Sequence, residues 1–110
     1  MEKNKRLTKT QDYRRVMAAD CSWADKNLVI KLETNESGES RIGIIASKKV
    51  GGAVVRNLVR RRLKEIMRRL PLAQGYDLVV IARMAARAAS YSELAQSAQK
   101  LTRRAGLVDR

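Results

Sequence analysis

Arg56, Arg60, Lys64 and Arg68 follow one another at i, i+4 spacing, with Arg61 beside them and the amide of Asn57 among them. On an α-helix these side chains form one stripe. Holding like charges four residues apart costs stability. An ordinary solvated face avoids that cost by mixing signs. A stripe of one sign is recovered by a polyanion, and arginine suits phosphate because its planar fork grips two oxygens at once. Asn57 adds a group able to meet a sugar hydroxyl or a base edge, or to serve as a plain residue near the helix start. Residues 41–70 hold ten basic side chains against one acid, Glu65, in a chain of net charge +13. Nucleic acid is the leading partner and an anionic membrane surface the lesser one.

Lys48 and Lys49 precede Gly51-Gly52, just before this helix would start. Glycine-rich backbone ahead of a helix directs N–H groups outward, which suits phosphate. The same glycines also suit a tight strand-to-helix turn. The spacing is not that of a nucleotide-binding P-loop, so ATP is disfavoured.

The rest of the composition narrows the chemistry. There is no histidine, which removes the commonest general base and metal ligand, zinc chemistry and His-activated nucleophiles. A stand-alone metal nuclease needs clustered carboxylates. Asp77 lies beside a strand, and Asp12, Asp20, Asp25 and Asp109 are scattered. Cys21 is the single cysteine, so no internal disulfide forms and a reducing cytoplasm fits. MEKNKRLTKT has no apolar segment after it, so no signal peptide is expected. No run approaches the roughly 20 apolar residues of a membrane span.

The elements that position these residues follow from periodicity. At 110 residues one domain is expected, with an aliphatic core because Trp23, Tyr13, Tyr76 and Tyr91 are the only aromatics. Thr8 to about Ala19 reads as a short amphipathic helix capped by Thr8 or Thr10. Asn27–Glu33 alternates as a half-buried strand, and Arg41–Ala46 is a second strand, antiparallel to it across a polar loop or hairpin turn. A helix from about Ala53 to Leu70 buries Val55, Val59, Leu63, Ile66 and Leu70, with Met67 and Leu58 at the edges; Pro71 ends it. Glu65 pairs with Arg69, away from the basic stripe. Tyr76–Ala82 is a continuous apolar strand buried on both faces. Ser90-Tyr91-Ser92-Glu93 matches a capping box opening a last helix to about Ala105. The order is α-β-β-α-β-α, an α+β sandwich.

The run SKKVGGAVVRNLVRRRLKE resembles the signature of the bacterial ribonuclease P protein family. Ser47, Lys48, Lys49, Val50, Gly51, Ala53, Val54, Arg56 and Asn57 match; Val59, Arg60, Arg61, Leu63, Lys64 and Glu65 fit. Tyr13, Val16 and Met17 stand where the family has an aromatic-rich helix, and RIGI, DLVVIAR and SYSEL also look familiar. Leu58 and Gly52 depart from the pattern, standing in place of an Arg and an Asn.

The resemblance implies a sandwich like the second domain of ribosomal protein S5, with a left-handed β-α-β crossover. It implies a protein that carries no catalytic residue and binds ribonuclease P RNA. That RNA uses bound Mg²⁺ to remove the 5′ leader of precursor tRNA. The implied RNA-facing set is Lys48, Lys49, Arg56, Asn57, Arg60, Arg61, Lys64 and Arg68. The implied leader cleft, between the first helix and the sheet, holds Tyr13, Met17, Leu28 and Ile30, with Arg83 at its mouth. For Tyr13 and Met17 the residues alone favour ordinary helix packing, and for Arg83 a plain surface position. The resemblance also implies divalent-cation binding at a site that the sequence does not locate; no obligate protein partner or membrane contact is expected, and residues 1–6 and 107–110 are expected to be flexible. A general RNA-binding protein without processing activity is the alternative. A helix-turn-helix DNA reader fits poorly, because strands flank the basic helix.

Overall fold

The computed structural model describes residues 5–108. Nine short elements run in the order β1 (Lys5–Arg6), α1 (Thr10–Met17), β2 (Ser22–Ala24), β3 (Leu28–Thr34), β4 (Arg41–Ile45), α2 (Ala53–Arg69), β5 (Tyr76–Ala82), a 3₁₀ turn (Met84–Ala88) and α3 (Tyr91–Arg104). The fold is α+β, with three helices on a five-stranded mixed sheet. Among the described residues no helix is long and apolar enough to cross a membrane.

The sheet order is β1-β4-β5-β3-β2. β5 occupies the centre, antiparallel to β3 and parallel to β4. β3 and β4 therefore run in opposite directions, as expected, but they are not hydrogen-bonded neighbours. The polar loop between them spans the width of β5 instead of making a hairpin turn. Its start is tied across the sheet by the Asn35 N–H donating to the Gly75 carbonyl at 2.9 Å. Parallel β4 and β5 require a crossover, and α2 supplies it.

Alternation divides the sheet into two faces. Leu28, Ile30 and Leu32 of β3, Ile42 and Ile44 of β4, and Leu78, Val80 and Ala82 of β5 pack with α2 and α3 in the main core. α2 contributes Val59, Leu63, Ile66 and Met67, with Leu70 just past its end, and α3 contributes Leu94, Ala98 and Leu101. The opposite face carries a small second core, where Val79 meets Leu7 and Val16, bordered by Tyr13, Ile45 and Ile81. α1 thus lies alone on one side of the sheet, and α2 and α3 cover the other.

Two short edge strands, β1 and β2, have too few residues to show periodicity and were not expected. Lys5 and Arg6, placed by sequence in a flexible terminus, instead pair with Arg41 and Ile42. Leu107, likewise expected to be flexible, is buried in the main core, and its carbonyl accepts from the Ala73 N–H. The expectations for residues 1–4, 109 and 110 lie outside the described residues. α1 starts at Thr10 after Lys9, with no side-chain cap from Thr8 or Thr10. The capping box on α3 forms as expected: Ser90 Oγ accepts from the Glu93 N–H at 3.1 Å, and Glu93 Oε1 from the Ser90 N–H at 2.8 Å.

Candidate nucleic-acid interface

α2 lays its apolar side on the sheet, so its basic stripe faces outward. Asn57, Arg61, Lys64 and Arg68 are exposed, and Arg56 and Arg60 are half-buried. Arg60 donates to Asn57 Oδ1 at 3.1 Å, which orients the amide within the row. Arg69 pairs with Glu65 at 3.3 Å, so the lone acid of the helix is engaged by its own i+4 partner. Arg56 Nε is shielded from solvent and has no hydrogen-bond partner among the described residues. Arg62 leaves the stripe and donates to the Ala89 carbonyl.

The approach to α2 keeps its start open. Ser47–Val50 forms a turn that exposes Lys48 and Lys49. Gly52 is the N-cap and offers no side chain to the first-turn N–H groups, and that turn holds no acid. Gly51 has φ +153, and a Cβ there would lie 3.0 Å from Val55. Gly51 therefore lets the chain turn tightly against the helix it introduces. Of the set Lys48, Lys49, Arg56, Asn57, Arg60, Arg61, Lys64 and Arg68, the two lysines lie on the exposed loop that leads into α2 and the other six lie on α2 itself. Leu58 sits at the border of the stripe, 37% exposed.

The leader-cleft set is divided. Tyr13 and Met17 lie on α1, with Tyr13 half-buried and Met17 exposed. Leu28 and Ile30 do not join them. Both are fully buried on the α2–α3 side of β3, because strand residues two apart share a face. Register puts Val29, Lys31 and Glu33 on the side that α1 covers, opposite Ile81, Val79 and Asp77. Lys31 Nζ reaches the Ala19 carbonyl just past the end of α1. Arg83 donates to the Asp25 carbonyl at 2.9 Å, which ties it to the turn between β2 and β3.

Two residues that sequence reasoning missed set this cleft. Gly43 of β4 faces α1, and a Cβ there would lie 2.5 Å from the Tyr13 ring. A glycine inside a strand signals such close approach, and the RIGI run carried that signal. Asp77 is the second. Its carboxylate has no exposure and accepts from Arg41 Nε at 2.8 Å and Nη2 at 2.7 Å, from Asn35 Nδ2 at 2.8 Å, and from Arg15 of α1. Asp12 adds a second carboxylate, 3.4 Å from Arg41. Burial pushes the Asp77 carboxyl up, but the bonds from Arg41 and Asn35 and the nearby guanidiniums outweigh it and hold it below its ordinary range. The network fastens α1 to β4 and β5 and leaves both carboxylates occupied.

A small α+β protein with one basic helix face and no histidine has the build of a nucleic-acid-binding subunit. The comparisons agree and go further. The family model described as Ribonuclease P matches residues 1–106. The chain is 41% identical over 105 residues to a ribonuclease P protein component of Clostridioides difficile, covering 93% of this chain and 92% of that one. It is 37% identical over 110 residues to that of Dehalococcoides mccartyi, covering 100% and 92%. Among solved structures, the RNase P protein of Staphylococcus aureus superimposes with TM-score 0.81 at 27% identity, covering 93% of this chain and 95% of that one. That of Thermotoga maritima gives 0.79 at 26%, covering 90% and 96%. The chain belongs to the Ribonuclease P family.

Proposed function

We propose that the protein holds ribonuclease P RNA with the loop at Lys48 and Lys49 and the α2 stripe, while the RNA performs the cleavage. Family membership establishes the wider role, that of the protein subunit of the ribonuclease P ribonucleoprotein in tRNA 5′ maturation. The observation that carries the finer reading is the unbroken cationic row Arg56, Arg60, Lys64 and Arg68, whose single neighbouring acid is already paired with Arg69. Phosphates neutralise such a row and release counterions.

The chain's own groups suit binding and not bond breaking. Asp12 and Asp77 are tied to arginines, and Asp25 pairs with Lys100. Among the described residues no three His, Cys, Asp or Glu side chains gather into a metal-binding group. In this reading the RNA supplies the site for Mg²⁺. The 5′ leader of precursor tRNA fits the α1 side of the sheet, along Tyr13, Met17 and Lys31. The same proposal places the protein in the cytoplasm, where the exposed thiol of Cys21 stays reduced.

The test is cleavage of a precursor tRNA at low Mg²⁺ by the protein alone, a bacterial ribonuclease P RNA alone, and the two together. Cleavage raised only in the mixture supports the reading. Cleavage by the protein alone would place the chemistry in this chain and overturn it.

A further inference from the structure

Two of the exposed large apolar side chains stand side by side on α2. Val54 is 82% exposed and Leu58 37%, and residues four apart on a helix are surface neighbours. Apolar side chains scattered singly need no explanation, but grouped and rimmed by polar residues they mark an interaction site. This pair is rimmed by cations. Arg61 and Arg62 are the next neighbours of Leu58 along the helix, and Asn57 is that of Val54. Arg62 is held in place by its bond to the Ala89 carbonyl. On the N-terminal side lie the loop with exposed Lys48 and Lys49 and the first turn of α2, whose N–H groups have no side-chain cap. Leu58 also stands where the family signature has an arginine. This chain therefore exchanges a cation beside its basic stripe for a side chain that no phosphate can use.

Resting on the RNA-binding reading above, we propose that Val54 and Leu58 take one unstacked nucleotide of ribonuclease P RNA, with the phosphates on either side of it held by Arg61 and by the Lys48–Lys49 loop. The occupant follows from continuity and from chemistry. The pair adjoins the stripe and the loop that meet RNA, so the same molecule covers it. A second copy of the chain, at net charge +13, is repelled from that surface. A separate protein would bury roughly 800 Å² on this side, far more than two side chains offer. RNA presents base faces only where they leave the stack: a duplex hides them, while a bulge or loop splays a base out for a side chain to cover. The stripe grips phosphates and so carries no sequence or shape preference of its own. The apolar pair adds a preference for RNA that offers an unpaired nucleotide at this point.

The test measures binding of the whole chain to a bacterial ribonuclease P RNA and to a regular RNA duplex, each at several salt concentrations. Val54→Ala with Leu58→Ala removes apolar surface and no charge. It should weaken the ribonuclease P RNA about tenfold at every salt concentration, the size of one buried aliphatic side chain, and leave the salt slope unchanged. The duplex should weaken less than about twofold, because its backbone contacts are intact. Val54→Tyr, at a position too exposed to disturb the fold, offers the base a ring and should tighten the ribonuclease P RNA by roughly fivefold. Arg60→Glu should instead weaken both ligands and flatten the slope. If the Val54 and Leu58 variants bind both RNAs as wild type does, or shift both by the same factor, while Arg60→Glu still weakens both, the nucleotide site is wrong and the helix-face reading stands. If Arg60→Glu binds both as wild type does, the helix-face reading fails and the nucleotide site fails with it.

Discussion

Single residues carry three of the expected outcomes. Arg60 sits mid-stripe, oriented on Asn57, so Arg60→Glu replaces attraction to phosphate by repulsion. Affinity for ribonuclease P RNA should fall by roughly one to two orders of magnitude, as buried charge contacts in interfaces do, read by filter binding. Gly43→Ala drives a methyl into the Tyr13 ring and pushes it from the sheet. Binding of precursor tRNA by the assembled ribonucleoprotein should weaken, while binding of tRNA lacking the leader should not change. Asp25 gives a pH dependence. Burial raises its carboxyl, but bonds from Ser97, from the Leu28 and Asn27 N–H groups and from Lys100 outweigh that and lower it to about 2. A lowered carboxyl stabilises the fold above the unfolded value of 3.8, and that contribution is lost as pH falls toward 2. Asp25→Asn should cost about 2 kcal/mol at neutral pH and flatten the fall in stability between pH 4 and 2, measured by urea unfolding. The cations of the stripe were legible because charge and helical period are local properties. Gly43 and Asp77 were not, because what they touch is far away in sequence: Tyr13 for one, Arg15, Asn35 and Arg41 for the other.

At the scale of elements, α1 is the weakly held part. It has eight residues, no side-chain cap and a small core of its own. Helices this short are unstable alone, so its position comes from packing and from the Asp77 network. Asp77→Ala leaves Asp12 as the one carboxylate beside Arg41 and Arg15 and removes one of the bonds that hold Asn35. It should cost about 3 kcal/mol, the lower end for breaking a buried pair because both arginines reach solvent, measured by chemical denaturation. The long elements were legible. β5 matches its expected span, α2 ends within a residue of it, and the α3 capping box is where SYSE placed it. The strand order was not, because alternation tells which residues share a face and not which strand lies next to which. Leu28 and Ile30 show the limit: their alternation was read correctly, yet the helix that packs on their face is α3 and not α1.

For the whole molecule, charge is the dominant property. A net charge of +13 on a body about 35 × 31 × 29 Å makes RNA association strongly dependent on salt. If the stripe and the Lys48–Lys49 loop together meet about six phosphates, affinity should fall by roughly three orders of magnitude between 50 and 200 mM salt, measured by titration at several salt concentrations. A near-flat salt dependence would contradict the electrostatic reading.

The central place of β5 has a consequence for the order in which this protein is made. β3 and β4 leave the ribosome first, but neither is the other's partner, and both wait for a strand that ends at residue 82. Until then the nascent chain holds the basic helix with no sheet to lie on and two apolar strands with open edges, the condition in which chains associate wrongly. The two halves of the sheet, β1 with β4 and β2 with β3, can therefore join only once β5 is available to lie between them. The interval before that event is when a highly cationic, unfinished chain sits beside ribosomal RNA, and the arrival of β5 is what converts indiscriminate charge into a shaped surface.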